Sequence, residues 1–310
     1  MELTVNDYAA REAAAAEGST QGVSPFLLSA LQHLAVSELP RISADGELVQ
    51  FIDHRSAVSF ADYFSSCLGL ATPEELDLAQ TLFGALFRLS AALGVTPVLP
   101  RYSLVDGLAL LRTIYRLCGD CKQTRVLEFR NSSGMVCALS ALSGIRSMSV
   151  EFGQAHFLFQ RRFFRAIAEY KAIRTPCEQL PWWEWSAQKV EEPAADVIIC
   201  NSFLLKLPPE VLTYALSKLH GALPHNGALL CYLTEEKNFL PWYRLWDRLH
   251  FSNFKLIYLD WRQAVLVPDY GESQASALLS RLKNASSPHP LDTVVPAGHF
   301  ESIFQLLDGI

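Results

Sequence analysis

Two glutamates and the short polar loop between them are the residues whose types and spacing best suit chemistry. Glu128 lies near the end of an apolar run, the loop after it continues to Gly134, and Glu151 lies near the end of a second apolar run. A carboxylate at a strand end can accept hydrogen bonds from both hydroxyls of a ribose, and a tight loop lets backbone approach a ligand. The order of strand, loop, helix and acid-ended strand from Thr124 to Phe152 therefore predicts an adenosine site.

The elements that must position these residues alternate between strand and helix from residue 125 onward. Such alternation is typical of a parallel sheet that is buried on both faces. The apolar runs are Val126–Phe129, Met148–Phe152, Asp196–Cys200 and Ala228–Leu233, and the helical stretches are Met135–Ser143, His156–Ile173 and Pro209–Leu223. Two last strands, FKLIYLD and QAVLVPD, are separated only by Trp261-Arg262, which requires antiparallel pairing. The predicted fold is a Rossmann-like doubly wound α/β sheet with an antiparallel last strand.

The region before this sheet is predicted to be mostly helical. Thr72 and Glu75 match a helix N-cap with its capping-box acid, and Gly94 marks the end of that helix. The segment Leu39–Asp53 predicts a short hairpin that turns at Asp45. The predicted division is an N-terminal helical cap or dimerisation domain over 1–101, a Rossmann-like domain over 102–270, and a C-terminal tail with a short helix over 271–310.

Composition restricts the partners and the compartment that we expect. The chain has 310 residues, of which 50% are hydrophobic, enough for a large core. Its net charge is -6 and it has no basic run longer than Arg161-Arg162, which argues against a nucleic-acid partner. No signal peptide and no stretch approaching eighteen apolar residues is evident, so we expect a cytoplasmic protein without a membrane partner. The seven cysteines fit reduced thiols, and no metal site is predicted.

Over about residues 105–270 the chain resembles the class I S-adenosylmethionine-dependent methyltransferases. The segment VLEFRNSSG corresponds to the first motif of that family: Glu128 and Gly134 match it, whereas Arg130 and Ser132 replace its first two glycines. Glu151 matches the acid that ends the family's second strand and accepts the ribose hydroxyls of the donor.

Two further segments carry the resemblance more specifically. ADVIICNSFLLKLPPE, with Asp196 and Asn201, is similar to the fourth motif, and LSKLHGALPHNGALLCYL is similar to the fifth. The chain is most similar to bacterial sugar or small-molecule O-methyltransferases. The resemblance implies S-adenosylmethionine as cofactor, with contacts from Glu128, Arg130, Asn131, Ser132, Gly134, Glu151, Phe152, Ser186, Ala187, Asn201 and Ser202.

The resemblance also implies where the methyl acceptor would bind. It would lie over the ends of the fourth and fifth strands, beneath the N-terminal helices. A hydroxyl acceptor needs a general base, and Glu235 and Glu236 are the first candidates, followed by His250. We expect O-methylation of a small molecule, such as a sugar or a secondary metabolite, and a homodimer formed through the N-terminal helical region.

Two other functions stay open. Arg130 and Ser132 in the loop fit a methyltransferase-like binding or scaffold subunit that has lost or repurposed the donor, because fold does not guarantee chemistry. Ser202, Tyr214 and Lys218 also match, nearly at its spacing, the catalytic serine and Tyr-x-x-x-Lys of the short-chain dehydrogenases, in which the lysine lowers the tyrosine pKa. That second interpretation predicts an NAD(P) oxidoreductase, although the glycine-rich loop of that family is missing.

Overall fold

A computed structural model gives the fold. It describes residues 3–17, 25–49, 59–119, 123–129, 132–171, 177–188, 194–201, 203–204, 207–232, 248–249, 252–259, 263–269 and 272–284.

The described part of the chain contains a seven-stranded sheet. Its strands are β1 (Arg125–Phe129), β2 (Arg146–Glu151), β3 (Cys177–Pro181), β4 (Val197–Asn201), β5 (Ala228–Tyr232), β6 (Phe254–Leu259) and β7 (Gln263–Pro268). They lie in the order β3-β2-β1-β4-β5-β7-β6. Strands β1 to β5 pair in parallel, whereas β7 pairs antiparallel with both β5 and β6. This confirms the predicted Rossmann-like α/β fold with its antiparallel ending.

Helices pack around this sheet. They are α1 (Val5–Glu17), α2 (Pro25–His33), α3 (Phe60–Cys67), α4 (Pro73–Leu93), α5 (Arg101–Cys118), α6 (Met135–Leu142), α7 (Gln154–Tyr170), α8 (Trp182–Ala187), α9 (Pro209–Ala222) and α10 (Glu272–Asn284). A short π-helical segment, Leu34–Glu38, continues α2. The central strands β4 and β5 are buried along almost their whole length, which is typical of parallel strands in the middle of a sheet and explains their continuous apolar runs.

Helix α4 begins and ends where the sequence predicts. The Glu75 amide donates to Thr72 Oγ1 over 3.2 Å, and the Thr72 amide donates back to Glu75 Oε2 over 2.8 Å, which completes a capping box. Gly94 ends the helix at a φ of 68°, a left-handed conformation that glycine adopts without strain. Glu75 also binds Arg112 of α5, with its Oε1 2.6 Å from Arg112 Nε. The cap therefore ties α4 to the helix that leads into the sheet.

The prediction of a hairpin in the N-terminal region is wrong for the described residues up to Val49. The expected turn is instead a 3-10 helix over Asp45–Glu47. The Glu47 carboxylate accepts bonds from the Ser43 amide and hydroxyl, at 2.8 and 3.0 Å. Asp45 pairs with Arg162 of α7 at 2.7 Å. These contacts bind the acidic residues to local groups and to α7, and residues 50–53 lie outside the described part.

Helix α4 is the one helix of the described residues that is long and apolar enough to span a membrane by length and composition. It has 21 residues and a mean hydropathy of 1.2 over its best window, and it passes that test by length and composition. It packs against α6 and α7 with a buried face that includes Leu82, Phe83 and Leu86. A core helix of this kind meets the same criterion.

The N-terminal helices contact the elements around the sheet directly. The Trp182 indole of α8 donates to Glu12 Oε1 of α1 over 3.2 Å, and the rings of Tyr8 and Trp183 lie 4.8 Å apart. Burying an indole without a partner for its N–H is costly, so Glu12 provides that partner. The division of the chain at residue 101 stays a prediction.

Candidate functional site

The loop between β1 and α6 is held in one conformation by the residues beneath it. Gly134 has a φ of 73°, in the left-handed region that favours glycine. A Cβ at this position would lie 2.8 Å from the Phe164 ring and 2.9 Å from the Gln160 side chain. Gly134 is therefore required both by its backbone conformation and by its close approach to α7.

Glu128 anchors this loop from below. Its side chain is fully buried, with Oε1 2.7 Å from the Ser132 hydroxyl and Oε2 3.0 Å from the amide of Cys137 in α6. The Ser132 hydroxyl and the Cys137 amide both donate to the carboxyl group, so each of its oxygens accepts a hydrogen bond from within the protein. Glu128 positions the loop, and we assign it no direct ligand contact.

Ser132 connects the loop to three other groups besides Glu128. Its hydroxyl oxygen accepts from the Gly134 amide over 3.1 Å, and its carbonyl accepts from Gln160 Nε2 over 2.8 Å. Its own amide donates to Glu151 Oε2 over 3.2 Å. A glycine at this position could make the backbone bonds but not the two hydroxyl bonds. The serine therefore fixes a loop that glycine would leave freer.

Glu151 lies at the carboxyl end of β2, as predicted, but its carboxyl group is surrounded by donors from the chain. Oε1 accepts from the amides of Phe152 and Gly153, at 2.8 and 3.0 Å. Oε2 accepts from the Ser132 amide and from Gln160 Nε2, the latter at 3.0 Å. Two carboxylate oxygens offer about four acceptor positions, and these four donors fill them.

Burial dominates the electrostatics of Glu151. The side chain has no exposed surface, and its desolvation raises the pKa from the ordinary 4.5 to about 8, although hydrogen bonds from Gly153, Ser132 and Phe152 oppose the shift. The nearby Glu128 raises the pKa further. A ribose could bind this carboxyl group only if the Ser132 amide and Gln160 left Oε2.

Four aromatic side chains gather at the same edge of the sheet. Phe129 and Phe152 follow from β1 and β2, Trp185 lies on α8, and Phe203 comes two residues after β4. The Phe152 ring lies 5.2 Å from Phe129 and 5.0 Å from Phe203, and the Phe129 ring lies 4.9 Å from Trp185. All four are buried. Phe152, a predicted cofactor contact, is thus part of this aromatic cluster, which stabilises the edge by burial and ring contacts.

Ser186 and Ala187, the predicted adenine contacts, end α8. The Ser186 hydroxyl is buried and donates to the Trp182 carbonyl over 2.6 Å, whereas Ala187 is exposed. The Ser186 carbonyl accepts from Tyr214 Oη over 2.9 Å and from Lys218 Nζ over 3.0 Å. Ser186 therefore makes structural contacts at the C-terminal end of α8, where its carbonyl binds two side chains of α9.

Tyr214 and Lys218, the pair of the dehydrogenase interpretation, cap α8. Lys218 Nζ also donates to the Trp185 carbonyl, so the ammonium group binds two carbonyls at the C-terminus of a helix. Burial raises the pKa of Tyr214, whereas the dehydrogenase chemistry needs it lowered. Burial also lowers the pKa of Lys218 to about 8. The described contacts give both residues a structural role.

Asn201 ends β4 beside Tyr232 of β5, at the edge where a donor site is expected. Its Oδ1 accepts from the Phe203 amide over 3.0 Å, which leaves the amide group of the side chain as a donor for other contacts. The other predicted residues lie outside the described part of the chain: Arg130, Asn131, Ser202, Glu235, Glu236 and His250. Their roles stay predictions.

The sequence analysis missed two groups of residues near this edge. Gln160, fully buried on α7, bridges Ser132 and Glu151, and nothing in its neighbourhood in the chain marks it. Asp106 of α5 accepts from the hydroxyl of Tyr63 over 2.5 Å and from that of Tyr232. An acidic residue inside the apolar stretch SLVDGLALL could have marked this second group.

Comparisons with known proteins give a likeness in fold. No protein-family model and no curated protein matches the chain. Among solved structures, a TehB-like SAM-dependent methyltransferase from Corynebacterium glutamicum aligns with a TM-score of 0.40 and 12% identity, over 63% of this chain and 98% of that one. The magnesium protoporphyrin IX methyltransferase from Synechocystis, solved with bound SAH, gives 0.39 and 11%, over 66% and 95%. The [4+2]-cyclase SpnF gives 0.41 and 14%, over 68% and 80%.

Proposed function

We propose that this protein is an S-adenosylmethionine-dependent methyltransferase that acts on a small-molecule acceptor. The observation that supports the proposal is the position of Glu151. It lies at the carboxyl end of β2, within hydrogen-bond distance of the loop that follows β1, in a sheet whose last strands are antiparallel. This is the edge at which open α/β sheets bind ligands.

The described conformation requires one change before the donor can bind. Because four donors fill the acceptor positions of Glu151, the Ser132 amide and the Gln160 side chain must leave Oε2 to admit ribose hydroxyls. Glu128 and Gly134 would keep the start of α6 in place while the loop moves. When bound, the donor would supply an activated methyl group, and the protein would mainly align it with the acceptor.

The acceptor side of the proposal depends on residues outside the described part. Glu235 and Glu236 are the proposed bases for a hydroxyl acceptor, with His250 as the third candidate. O-methylation of a sugar or secondary metabolite, a homodimer through the N-terminal helices and a cytoplasmic location belong to the same proposal.

Isothermal titration calorimetry with S-adenosylmethionine and S-adenosylhomocysteine tests the donor site. We expect saturable heat with both ligands. At pH 9, above the Glu151 pKa of about 8, the side chain is ionised, and Glu151→Gln should weaken binding by about 1.5–3 kcal/mol because hydrogen bonds to a charged acceptor are lost. Glu178→Gln is a matched control, since Glu178 is an exposed acid of β3 in the same sheet. The absence of heat at sub-millimolar concentrations of both ligands would refute the proposal.

A second candidate is a methyltransferase-like binding or scaffold protein without the donor. The observation that favours it is the closed state of the site, in which Glu151 is saturated and the aromatic cluster fills the edge of the sheet. The same titration separates the two candidates. Tight binding of NADP(H) in a parallel titration would instead favour the dehydrogenase.

A further inference from the structure

A cleft lined by three arginines lies at the opposite edge of the sheet from Glu151. Arg125 and Arg146 begin β1 and β2, and Arg281 lies on α10. The cleft has a volume of about 850 Å³ and is also lined by the end of α5 and the start of β5. This volume is within the range of pockets that bind small molecules.

The sheet brings two of these positive charges side by side. Arg125 and Arg146 are register partners on neighbouring parallel strands, so their Cα atoms lie roughly 5 Å apart and their side chains leave the same face. Like charges in this arrangement repel each other. Arg281 Nη1 donates to the Leu117 carbonyl over 3.0 Å, which holds the third guanidinium beside the C-terminal end of α5. The arrangement therefore concentrates positive charge at one place.

Negatively charged groups in the cleft offset this positive charge only in part. Its described lining contains three arginines and one carboxylate, Asp196, which gives a formal charge of +2. Asp196 is engaged by Arg125, whose amide donates to Oδ2 over 2.8 Å and whose Nη2 lies 3.4 Å from Oδ1. Among the described residues, no ion pair joins Arg146 or Arg281 to a carboxylate. This positive cleft contrasts with the net charge of -6 of the whole chain.

The thiol in the cleft does not add a compensating negative charge. Cys118 ends α5 and lines the cleft, and both Asp196 and Arg281 are close enough to influence it. Burial raises the pKa of Cys118 from its ordinary value, so the thiol stays neutral near pH 7.

We propose that this cleft binds a small polyanion that carries at least two phosphate or carboxylate groups. The guanidinium groups of Arg146 and Arg281 would hold those groups through paired, charge-assisted N–H donors. Arg125 would contribute charge while its bond to Asp196 keeps the strand ends together. Because the cleft lies at the amino ends of the strands, this site is independent of the proposed donor site.

Calorimetric titration with pyrophosphate and, separately, with citrate tests the inference. The double variant Arg146→Gln/Arg281→Gln should lose at least about tenfold in affinity, which corresponds to about 1.4 kcal/mol. The control Arg88→Gln/Arg161→Gln removes the same charge from α4 and α7 and should bind as the wild type does. Thermal unfolding of both variants establishes that they are folded.

Each outcome of these titrations either supports or overturns the proposed anion site. Pyrophosphate binding alone, citrate binding alone or binding of both supports the site and identifies phosphate, carboxylate or either as its ligand group, provided that the control retains it. The inference is overturned if neither anion binds at about 1 mM, a concentration that detects even weak complexes. It is also overturned if the two double variants lose affinity equally, since that would show a general charge effect.

Discussion

Replacement of Ser132 tests how firmly the loop after β1 is held. In Ser132→Ala, Glu128 loses a hydroxyl donor at 2.7 Å and the Gly134 amide loses its acceptor at 3.1 Å. A hydrogen bond to a carboxylate contributes about 1.5–3 kcal/mol, and a buried amide without an acceptor adds to this loss. We therefore expect the free energy of unfolding to fall by about 2–4 kcal/mol. Ser132→Gly should cost about 0.5–1 kcal/mol more, because glycine loses more backbone entropy on folding.

Equilibrium unfolding in urea, followed by circular dichroism, measures both variants. Ser147→Ala is the matched control: its buried hydroxyl donates to the Cys137 carbonyl over 3.0 Å, a neutral acceptor, and its loss should cost only about 0.5–1.5 kcal/mol. If Ser132→Ala is no more destabilising than Ser147→Ala, the loop is not anchored on Glu128 and does not hold the donor site closed.

Three other predictions concern the same edge of the sheet. Gly134→Ala should destabilise the protein by more than about 1 kcal/mol, because a Cβ there combines a positive φ with contacts at 2.8 and 2.9 Å to Phe164 and Gln160; an unchanged melting temperature would contradict this. Because the pKa of Glu151 is raised from 4.5 to about 8, the folded state binds this proton more tightly than the unfolded state. The resulting stabilisation is complete below pH 4.5 and is lost as the pH rises through 8. The unfolding free energy should therefore fall relative to Glu151→Gln between pH 5 and 8, by at most about 1.4 kcal/mol per pH unit, and parallel pH profiles would refute the shift. Lys218→Met should lower stability by about 1–3 kcal/mol in thermal unfolding, because the carbonyls at the end of α8 lose a donor, and a neutral result would remove its capping role.

The sheet could be predicted because its central strands are buried on both faces and read as apolar runs. The antiparallel ending followed from a connection too short for a parallel crossover. The edge strand β3, with the sequence CEQLP, was missed because it is half-exposed and has no apolar run. The hairpin at Asp45 was wrong because a turn signal does not reveal that Arg162, distant in sequence, will pair with that acid.

At the candidate site, too, only part of the structure could be predicted from the sequence. The positions of Glu128 and Glu151 followed from the strand pattern, but their partners depend on how α7 is rotated against the sheet. Gln160 reaches both Ser132 and Glu151 only through that packing. The aromatic cluster likewise joins side chains from separate segments, which no local pattern could group.

Calorimetric titration of the wild type and Glu151→Gln with S-adenosylhomocysteine tests the central proposal most directly. At pH 9, where Glu151 is ionised, the proposal predicts saturable binding by the wild type and an affinity lower by at least about tenfold in Glu151→Gln. No binding by the wild type, or equal binding by both proteins, would contradict a donor site at Glu151.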